Sequence, residues 1–507
     1  MSPSNNRVPV ISDWRSKDLK ACPMKRYTIL ILFVLIAGLA LPSPSFGAPP
    51  KRKAPKPPAA TPLERMFEAA GEVGIRAVSL SSGQALFEYH PNDPLIPASL
   101  VKILTSCAAL KGLGPDHRFT TSVWAANDPQ GGEIQGDVWI RSEGDIFLTV
   151  ENARTLAQRV KDLGIRTIRG GVYADGGFFS PDKEKICLNE KCSDAYNPVV
   201  SGTAFEFNSI VFRVLPGPKP GSPLRAEWSP PGDYVRLSNL GVTGSKSSKT
   251  PVTLQPITTT GDGGERYQLS GRMPPGMKGG REFRFNVNDP AGFVARTFKS
   301  LLGRAGVEVR GAAAMAGAVP PGAKQLATYE SAPLGDVLYG LNRYSNNFMA
   351  EMLLRSLGAS EAGSPSTAEK GLAATGKMLL ALGVPAGEFQ LDTGSGLSRV
   401  CRVSPRAFCT VLESAYRDPS ISSVFLSSLA VNAQDGTLRK RLRSSAVTLQ
   451  GKTGTLSDVV AFAGYVSAPG KDTVVVTVIL NGVRDLARAK GAVDAFLEET
   501  ASLADCR

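Results

Sequence analysis

The stretch that decides the fold is Pro97-Ala98-Ser99-Leu100-Val101-Lys102. Its apolar character continues to Leu110, which predicts a helix over 99–110 with Ser99 at the N-terminus. At positions i and i+3 of a helix, Ser99 and Lys102 share one face, so the lysine amine can reach the serine hydroxyl. The backbone N–H groups of a first helical turn have no intrahelical partner and point outward. The stretch therefore predicts a serine nucleophile with a neighbouring lysine base.

A second polar motif, Ser345-Asn346-Asn347, precedes the helix-like Phe348-Met349-Ala350-Glu351. We interpret Ser345 as a relay that passes a proton to a leaving amine, and Asn347 as a contact for a substrate amide. An ordinary helix cap is the alternative, because serine and asparagine are favoured there. The other motifs favour the catalytic interpretation.

The third motif is Lys452-Thr453-Gly454-Thr455, and an apolar strand at 459–466 follows it at hairpin distance. We expect the charge of Lys452 and the hydroxyl of Thr453 to bind a substrate carboxylate. Gly454 would let the substrate approach the backbone closely. The backbone N–H groups of Ser99 and Thr455 could form an oxyanion hole. A strand end with a turn residue is the bland alternative.

A lysine acts as a base only if its pKa is lowered. Burial and a neighbouring cation both lower it, and Lys452 is a candidate for that cation beside Lys102. The only histidines are His90 and His117, and we expect both at the surface or in caps. A Ser-His-Asp triad is therefore not predicted, and the lysine-based site needs neither histidine.

Taken together, the motifs match the Ser-x-x-Lys, Ser-x-Asn, Lys-Thr-Gly set of penicillin-recognising serine enzymes. Over about residues 65–505 the chain resembles the low-molecular-weight penicillin-binding proteins that are D-alanyl-D-alanine carboxypeptidases and endopeptidases. Within that family it resembles the group with a large insertion after the first motif. The residues that carry the resemblance are 97–102, 345–351, Gly394-Ser395-Gly396-Leu397-Ser398-Arg399, Asp435-Gly436-Thr437-Leu438 and 451–455.

The resemblance implies a transpeptidase-like domain with two inserted domains and no cofactor. It implies that Ser99 attacks the D-Ala-D-Ala bond of peptidoglycan stem peptides, or D-amino-acid cross-links, and that water hydrolyses the acyl-enzyme. β-Lactams mimic D-Ala-D-Ala and should acylate the same serine. Two features depart from the family pattern: Thr393 stands where the loop Asp392-Thr393-Gly394-Ser395-Gly396 usually has aspartate, and Cys401 and Cys409 are not expected.

Helical and strand-like segments place these motifs in an α/β fold. Helical patterns cover 63–72, 334–344, 347–357, 367–382, 405–416 and 486–497, and strand-like alternation covers 74–80, 85–89, 448–452, 459–466 and 473–480. We expect a β-lactamase/transpeptidase-like catalytic domain, an antiparallel sheet flanked by helices, from residues 62–118 and 334–507. A Gly/Pro-rich, β-rich insertion spans 119–333, with a smaller domain nested near 208–285.

The N-terminus is typical of a secretory signal peptide. Met24-Lys25-Arg26 precedes an apolar run over 27–41, and small residues follow near Gly47. The run is about 15 residues long, whereas a membrane-spanning helix needs about 20. We assign 1–47 to the signal, with Met24 as a possible start, and predict a periplasmic or otherwise secreted protein. An uncleaved N-terminal anchor is the alternative.

Residues 48–61 form a Pro/Lys-rich stretch that we interpret as a linker. Its four cations could contact anionic membrane or wall polymers, although a solvated spacer is favoured. The apolar content of 42% and the charged content of 20% are those of a folded protein, and the net charge is +13. Because no basic stripe is interleaved with aromatic residues, nucleic-acid binding is not expected.

Cysteine spacing fits an oxidising compartment. Cys187 and Cys192 flank a short charged loop and predict a local disulfide, and Cys401 with Cys409 is a possible second pair. No Cys-x-x-Cys pair is present, so a metal site is not predicted.

Two further functions stay open beside the peptidase. One is a serine β-lactamase or esterase on the same scaffold, since Tyr344-Ser345-Asn346 also fits a Tyr-x-Asn motif. The other is a non-catalytic wall-binding protein with a relic site, against which the intact Ser99, Lys102, Ser345 and Lys452 argue. The oligomeric state is not predicted.

Overall fold

The computed structural model describes residues 60–181, 187, 192–248, 251–259, 264–312 and 314–503. The predicted signal peptide and nearly all of the predicted linker lie outside these ranges, as do Cys22 and Cys506. None of the helices within them combines the length and apolar character that a membrane span requires.

Ten α-helices and four short 3-10 turns form within the described ranges. The helices are α1 (Pro62–Ala69), α2 (Val101–Gly112), α3 (Val150–Asp162), α4 (Pro290–Arg304), α5 (Leu334–Asn342), α6 (Asn347–Ala362), α7 (Ala368–Ala381), α8 (Pro405–Arg417), α9 (Ser422–Ser428) and α10 (Leu486–Leu503). The 3-10 turns are Ala98–Leu100, Glu206–Asn208, Ala386–Glu388 and Gly436–Leu438.

The strands of the same ranges fall into two groups along the chain. Those of the first terminal segment and the first part of the insertion are β1 (Glu72–Ser79), β2 (Ala85–Tyr89), β3 (Thr120–Ala125), β4 (Glu133–Ile134), β5 (Val138–Ser142), β6 (Thr167–Ile168), β7 (Val172–Asp175), β8 (Ser209–Leu215), β9 (Arg225–Ser229), β10 (Val235–Asn239), β11 (Val242–Thr243) and β12 (Thr253–Thr259). The remainder are β13 (Glu265–Ser270), β14 (Arg272–Met273), β15 (Arg281–Asn286), β16 (Glu308–Val309), β17 (Ala314–Ala316), β18 (Lys324–Glu330), β19 (Phe389–Gln390), β20 (Arg402–Val403), β21 (Ala430–Val431), β22 (Thr448–Leu456), β23 (Val459–Ser467) and β24 (Val474–Asn481).

The main sheet joins the two ends of the chain in the antiparallel order β2-β1-β24-β23-β22-β21. Every residue of β24 is buried, because helices cover both faces of the sheet. Its side chains alternate between the two layers: Val475 and Ile479 pack in the cluster that contains α8, whereas Val476 and Val478 pack in the cluster that contains α1 and α10. The predicted antiparallel sheet flanked by helices is confirmed.

The helix predicted over 63–72 is shorter than expected. A capping box in which Thr61 and Glu64 bond each other's backbone N–H begins α1 at Pro62. The helix ends at Ala69, because β1 starts at Glu72 and pairs with β24 over its whole length. Pairing with the sheet thus overrides the helical pattern of the last three predicted residues.

The predicted β-rich insertion is also confirmed in character. A five-stranded sheet, β17-β7-β5-β3-β18, packs with α3 and α4 around its own buried apolar cluster. Strands β8 to β15 pair only with one another in three small sheets within the described ranges. The predicted boundaries of the catalytic domain, the insertion and the nested domain stay predictions with which these clusters agree.

The two predicted disulfides have different outcomes. Cys187 and Cys192 are bonded, as predicted. The possible pair of Cys401 and Cys409 is wrong, because both thiols are free and buried. The Cys401 thiol lies 2.8 Å from Asp392 Oδ1, whereas Cys409, on α8, contacts Thr477 Oγ1 of β24. The two side chains therefore have separate surroundings.

Candidate active site

Ser99 lies on the 3-10 turn Ala98–Leu100, and the regular helix α2 starts only at Val101. The predicted helix over 99–110 therefore begins with a tighter turn. Ala98 has a φ of +49°, which is unusual for a residue with a side chain. The packing around this turn must hold the conformation, and it fixes where the Ser99 hydroxyl points.

Two glycines allow other segments to approach this turn. A Cβ on Gly454 of β22 would lie 2.6 Å from the Pro97 carbonyl oxygen, and a Cβ on Gly396 would lie 1.9 Å from the Ala98 carbonyl oxygen. Neither contact is possible for a larger residue. The glycines therefore bring β22 and the 394–396 loop against the nucleophile, and Thr455 follows directly on β22.

Lys102 is fully buried beneath Ser99. Its Nζ atom donates to Ser99 Oγ at 3.0 Å, to Asn347 Oδ1 at 2.7 Å and to the Ser395 carbonyl oxygen at 2.7 Å. Burial holds the pKa of Lys102 well below its ordinary range, and the charge of Lys452 lowers it further, whereas Glu351 opposes the shift. A lysine of this kind can be neutral and accept a proton.

Asn346, and not Ser345 or Asn347, caps helix α6. Its side chain accepts a hydrogen bond from the Met349 N–H at 3.0 Å. Ser345 has a φ of +60° just before the helix, and Asn347 is the first helical residue. The cap interpretation thus applies to the middle residue of the motif, while its two neighbours line the cleft.

Lys452 is fully buried on β22 and approaches Ser345. Its Nζ atom donates to Ser345 Oγ at 2.9 Å and to the Thr453 carbonyl oxygen at 2.8 Å. Burial lowers the pKa of Lys452 to about 7. The site therefore contains two Ser-Lys pairs, Ser99 with Lys102 and Ser345 with Lys452.

The cleft in front of these pairs has a volume of about 390 Å³. Four of the predicted site residues line it, and six further residues complete the wall. The predicted residues are Ser99, Ser345, Asn347 and Thr455, and the others are Tyr196, Gly396, Leu397, Arg399, Leu456 and Ser457. Lys102 and Lys452 reach the cleft through the two serines.

Strand β22 borders the cleft with an open edge. β23 pairs with all of β22, but β21 pairs only with Gln450 and Gly451 on the other side. Within the described residues, Lys452 to Leu456 thus lack a strand partner on that side, where Gly454 packs against the Ser99 turn. Thr453 is half-exposed there, and an extended peptide could pair with this edge.

Sequence reasoning missed the contribution of the insertion to this site. Asn347 Nδ2 donates to the Tyr196 carbonyl oxygen at 2.8 Å, and Tyr196 also lines the cleft. Arg399 was part of a quoted motif but had no assigned role. It pairs with Asp458 and donates to Ser457 Oγ at the cleft wall.

The described residues contain a larger cavity of about 750 Å³ in the insertion, near Gly176, Phe179, Asn288 and Pro290. No predicted site residue lines it, so we place the chemistry in the smaller cleft, which holds both Ser-Lys pairs. His90 bonds Asp93 at the surface. Among the described residues, no group of three His, Cys, Asp or Glu side chains is arranged to hold a metal.

Comparison with known proteins gives consistent results. Residues 65–501 match the family described as D-Ala-D-Ala carboxypeptidase 3 (S13). A D-alanyl-D-alanine carboxypeptidase of Actinomadura sp. (strain R39) is 32% identical over 417 residues, which cover 78% of this chain and 75% of the relative.

Solved structures share the fold. The crystal structure of penicillin binding protein 4 (dacB) from Haemophilus influenzae matches with a TM-score of 0.72 and 22% identity, covering 88% of this chain and 99% of the other. The same protein complexed with a novel beta-lactam matches with a TM-score of 0.67 and 21% identity, covering 87% and 99%.

Proposed function

The chain belongs to the D-Ala-D-Ala carboxypeptidase 3 (S13) family, and we propose that the cleft around Ser99 carries out its reaction. The protein is a penicillin-binding serine carboxypeptidase and hence a hydrolase. Its substrate is the D-Ala-D-Ala end of a peptidoglycan stem peptide. Hydrolysis of D-amino-acid cross-links, the endopeptidase reaction, needs the same bond cleavage and the same groups.

The observation that carries this proposal is the 3.0 Å contact between Lys102 Nζ and Ser99 Oγ. Neutral Lys102 takes the hydroxyl proton while Oγ forms a bond to the carbonyl carbon of the penultimate D-alanine. The C–N bond then breaks, and the leaving amine takes a proton from the Ser345 hydroxyl, which Lys452 replenishes. Water finally attacks the ester, which releases the shortened peptide and restores Ser99.

The close approach of β22 to the Ser99 turn supports the proposed oxyanion hole. Gly454 allows β22 to pack against Pro97 and Ala98, so the N–H groups of Ser99 and Thr455 come from adjoining segments. Two fixed donors stabilise the charge that develops on the carbonyl oxygen, and one such donor is worth about a hundredfold or more in rate.

We propose that the other predicted residues bind the substrate. Lys452, supported by the hydroxyls of Thr453 and Thr455, would bind the terminal carboxylate. Asn347 would bind a substrate amide, although its own amide also bonds Lys102 and Tyr196. It therefore links the base, the insertion and the substrate in one place.

The first test is the mass of the intact protein after incubation with a penicillin, followed by peptide mapping. We expect one adduct on Ser99 and none in Ser99→Ala. An adduct on another serine would overturn the assignment. Rapid hydrolysis of the penicillin without a lasting adduct would favour the serine β-lactamase or esterase alternative. No adduct and no hydrolysis by the folded protein would favour a relic site.

Stem peptides then separate the two peptidase activities. Release of D-alanine from a pentapeptide measures the carboxypeptidase, and cleavage of a cross-linked dimer measures the endopeptidase. Both activities should disappear in Ser99→Ala. A Ser99→Ala variant that retains either one would show that the Ser99 cleft does not carry it.

We also propose that the protein is exported by residues 1–47 and works outside the cytoplasm. The Cys187–Cys192 disulfide supports this, because disulfides persist in oxidising compartments. N-terminal sequencing of the protein isolated from cells should find a start near Ala48. A start at Met1 or Met24 would favour the uncleaved anchor.

Exposed cations give the predicted contact with anionic polymers a defined surface. Arg439, Lys440 and Arg443 are exposed on the turn that follows Gly436–Leu438 and have no ion pair among the described residues. Arg441 Nε of the same turn donates to Asp494 Oδ1 of α10 at 2.6 Å, which holds the turn on that helix.

The N-terminal linker enters next to this turn. Gly71 N–H bonds the Asn481 carbonyl oxygen, and Glu68 pairs with Arg488, so α1 runs antiparallel to α10. The start of α1 therefore lies toward the half of α10 that contains Asp494. The four linker cations and the basic turn would then meet one anionic membrane surface.

Sedimentation with phosphatidylglycerol vesicles tests this contact. Serine at 439, 440 and 443 should reduce binding severalfold at low salt, since each basic residue near such a surface is worth about 1 kcal/mol. Serine at the exposed Lys219, Lys246 and Lys278 is the control with an equal change of charge. Equal binding by both variants, or equal binding to phosphatidylcholine, would contradict a membrane contact at the turn.

A further inference from the structure

Helix α6 contains a buried acid, Glu351, one turn after the Ser345-Asn346-Asn347 motif. Its side chain is 0% exposed, and that of its partner Arg355 is 2% exposed. Arg355 Nη1 lies 3.3 Å from Glu351 Oε2. A buried carboxylate is costly unless it is paired and hydrogen-bonded, so its other oxygen is informative.

That oxygen, Glu351 Oε1, accepts the backbone N–H of Ser395 at 2.8 Å. The carbonyl oxygen of the same Ser395 accepts Lys102 Nζ at 2.7 Å. Glu351 thus holds one end of a single residue whose other end bonds the proposed base. The contact joins α6, the 393–396 loop and α2.

Other contacts keep the loop tight around Ser395. Thr393 Oγ1 accepts the Gly396 N–H at 3.1 Å, and Thr105 Oγ1 donates to the Gly394 carbonyl oxygen at 2.7 Å. A Cβ on Gly394 would lie 2.8 Å from the Ala350 carbonyl oxygen, so the loop lies directly on α6. Thr393 therefore supports the loop by a neutral hydrogen bond where the family usually has an acid.

We propose that Glu351 is a positioning residue for Lys102: it fixes Ser395 so that the Ser395 carbonyl aims the amine at Ser99, and its negative charge offsets the positive charge of Lys452. This inference rests on the proposed function of Ser99 and Lys102. It assigns Glu351 two separable effects, one geometric through the loop and one electrostatic on the base.

The electrostatic effect has a definite sign. Lys102 faces the cation Lys452 on β22 and the carboxylate Glu351 on α6, and Arg355 lies behind Glu351. Without the carboxylate, protonated Lys102 is less stable and its pKa falls further. The base would then be neutral at lower pH but would also be weaker, so acylation slows at high pH.

Three variants separate the two effects through the pH dependence of acylation by a penicillin. Glu351→Gln keeps an acceptor for the Ser395 N–H and removes the charge. The acid limb should move by about one pH unit to lower pH, and the plateau rate should fall about tenfold. Thr393→Val loosens the same loop without a change of charge. It should lower the plateau rate and leave the acid limb in place.

Glu351→Gln leaves Arg355 as a buried cation without its carboxylate, which destabilises a fold. The third variant, Glu351→Gln with Arg355→Met, removes both charges and keeps the test possible if the single variant fails to fold. It should show the same direction of shift. Circular dichroism on each variant confirms that the folded protein is measured.

The outcomes distinguish this inference from the proposed function. If the wild-type protein acylates on Ser99 but the acid limb of the folded Glu351 variants stays in place, Glu351 does not act on Lys102 and the inference is wrong. If the wild-type protein forms no adduct on Ser99, the proposed function itself fails. A shift to higher pH would also contradict the inference, because the sign would be reversed.

Discussion

Ser345 Oγ accepts a hydrogen bond from Lys452 Nζ at 2.9 Å, although 107 residues separate them in the chain. The contact joins the turn before α6 to β22 and leaves the Ser345 hydroxyl on the cleft wall. It repeats the Ser99–Lys102 arrangement with a second serine and a second lysine. A hydroxyl backed by a lysine can both give and regain a proton.

Ser345→Ala should therefore slow acylation by roughly a hundredfold, as expected for loss of a general acid. Tyr344→Phe is the control, because Tyr344 is the exposed neighbour and lies outside the cleft wall. Stopped-flow measurement of acylation by a chromogenic cephalosporin gives both rates. Similar rates for Ser345→Ala and the wild type would exclude Ser345 from the proton path.

The lowered pKa of Lys452 predicts a pH limit for substrate binding. Lys452 carries its charge below a pKa of about 7 and loses it above that value. Recognition of a carboxylate should weaken accordingly, so kcat/KM for a D-Ala-D-Ala peptide should fall up to tenfold per pH unit above that point. Lys452→Arg stays charged and should remove this limb, and a substrate with an amidated end should not show it.

The same pKa predicts how stability depends on pH. The folded state binds fewer protons than the unfolded state between pH values of about 7 and 10.5, because the pKa of Lys452 is lowered on folding. The free energy of unfolding should therefore rise with pH in this window, and the buried charge destabilises the fold most below it. Lys452→Met should flatten this dependence in denaturant titrations. An unchanged slope would mean that the folded-state pKa is not lowered.

The sequence predicted the chemical groups well, because side-chain type and order carry that information directly. Alternating apolar residues also predicted β23 and β24. Tyr196 could not be predicted, since its contact with Asn347 joins positions 151 residues apart. Glu351 resembled any acid on a helix. The spacing of Cys401 and Cys409 suggested a pair, but spacing does not reveal that one lies in a loop and the other on α8, facing β24.

Gly454→Ala should reduce acylation about tenfold or more, because its Cβ would lie 2.6 Å from a backbone oxygen of Pro97 and push β22 from the nucleophile. Gly491→Ala is the matched control: Gly491 is on α10, and a Cβ there would have no atom within 4 Å outside its own helical turn. The control should keep full activity. If both variants acylate at the wild-type rate, close approach of β22 is not required.

The free thiols give a check on the corrected pairing. Burial raises the pKa of Cys107, Cys401 and Cys409 to about 12, so none of them should react with iodoacetamide at pH 8 in the folded protein. Unfolding without reductant should make all three reactive, while Cys187 and Cys192 stay protected by their bond. Peptide mapping that found Cys401 joined to Cys409 would restore the second disulfide.

Tyr196 predicts that the insertion takes part in substrate binding. Its carbonyl oxygen holds Asn347, and its side chain, 42% exposed, stands at the cleft. Tyr196→Ala removes the ring and keeps the backbone contact, so acylation by a small penicillin should change little. A stem peptide long enough to reach the ring should lose about tenfold in kcat/KM, since aromatic contacts are worth about 0.5–1.5 kcal/mol beyond their buried area. Tyr196→Phe should recover most of this loss. Equal losses for penicillin and peptide would instead show that Tyr196 supports Asn347 and does not touch the substrate.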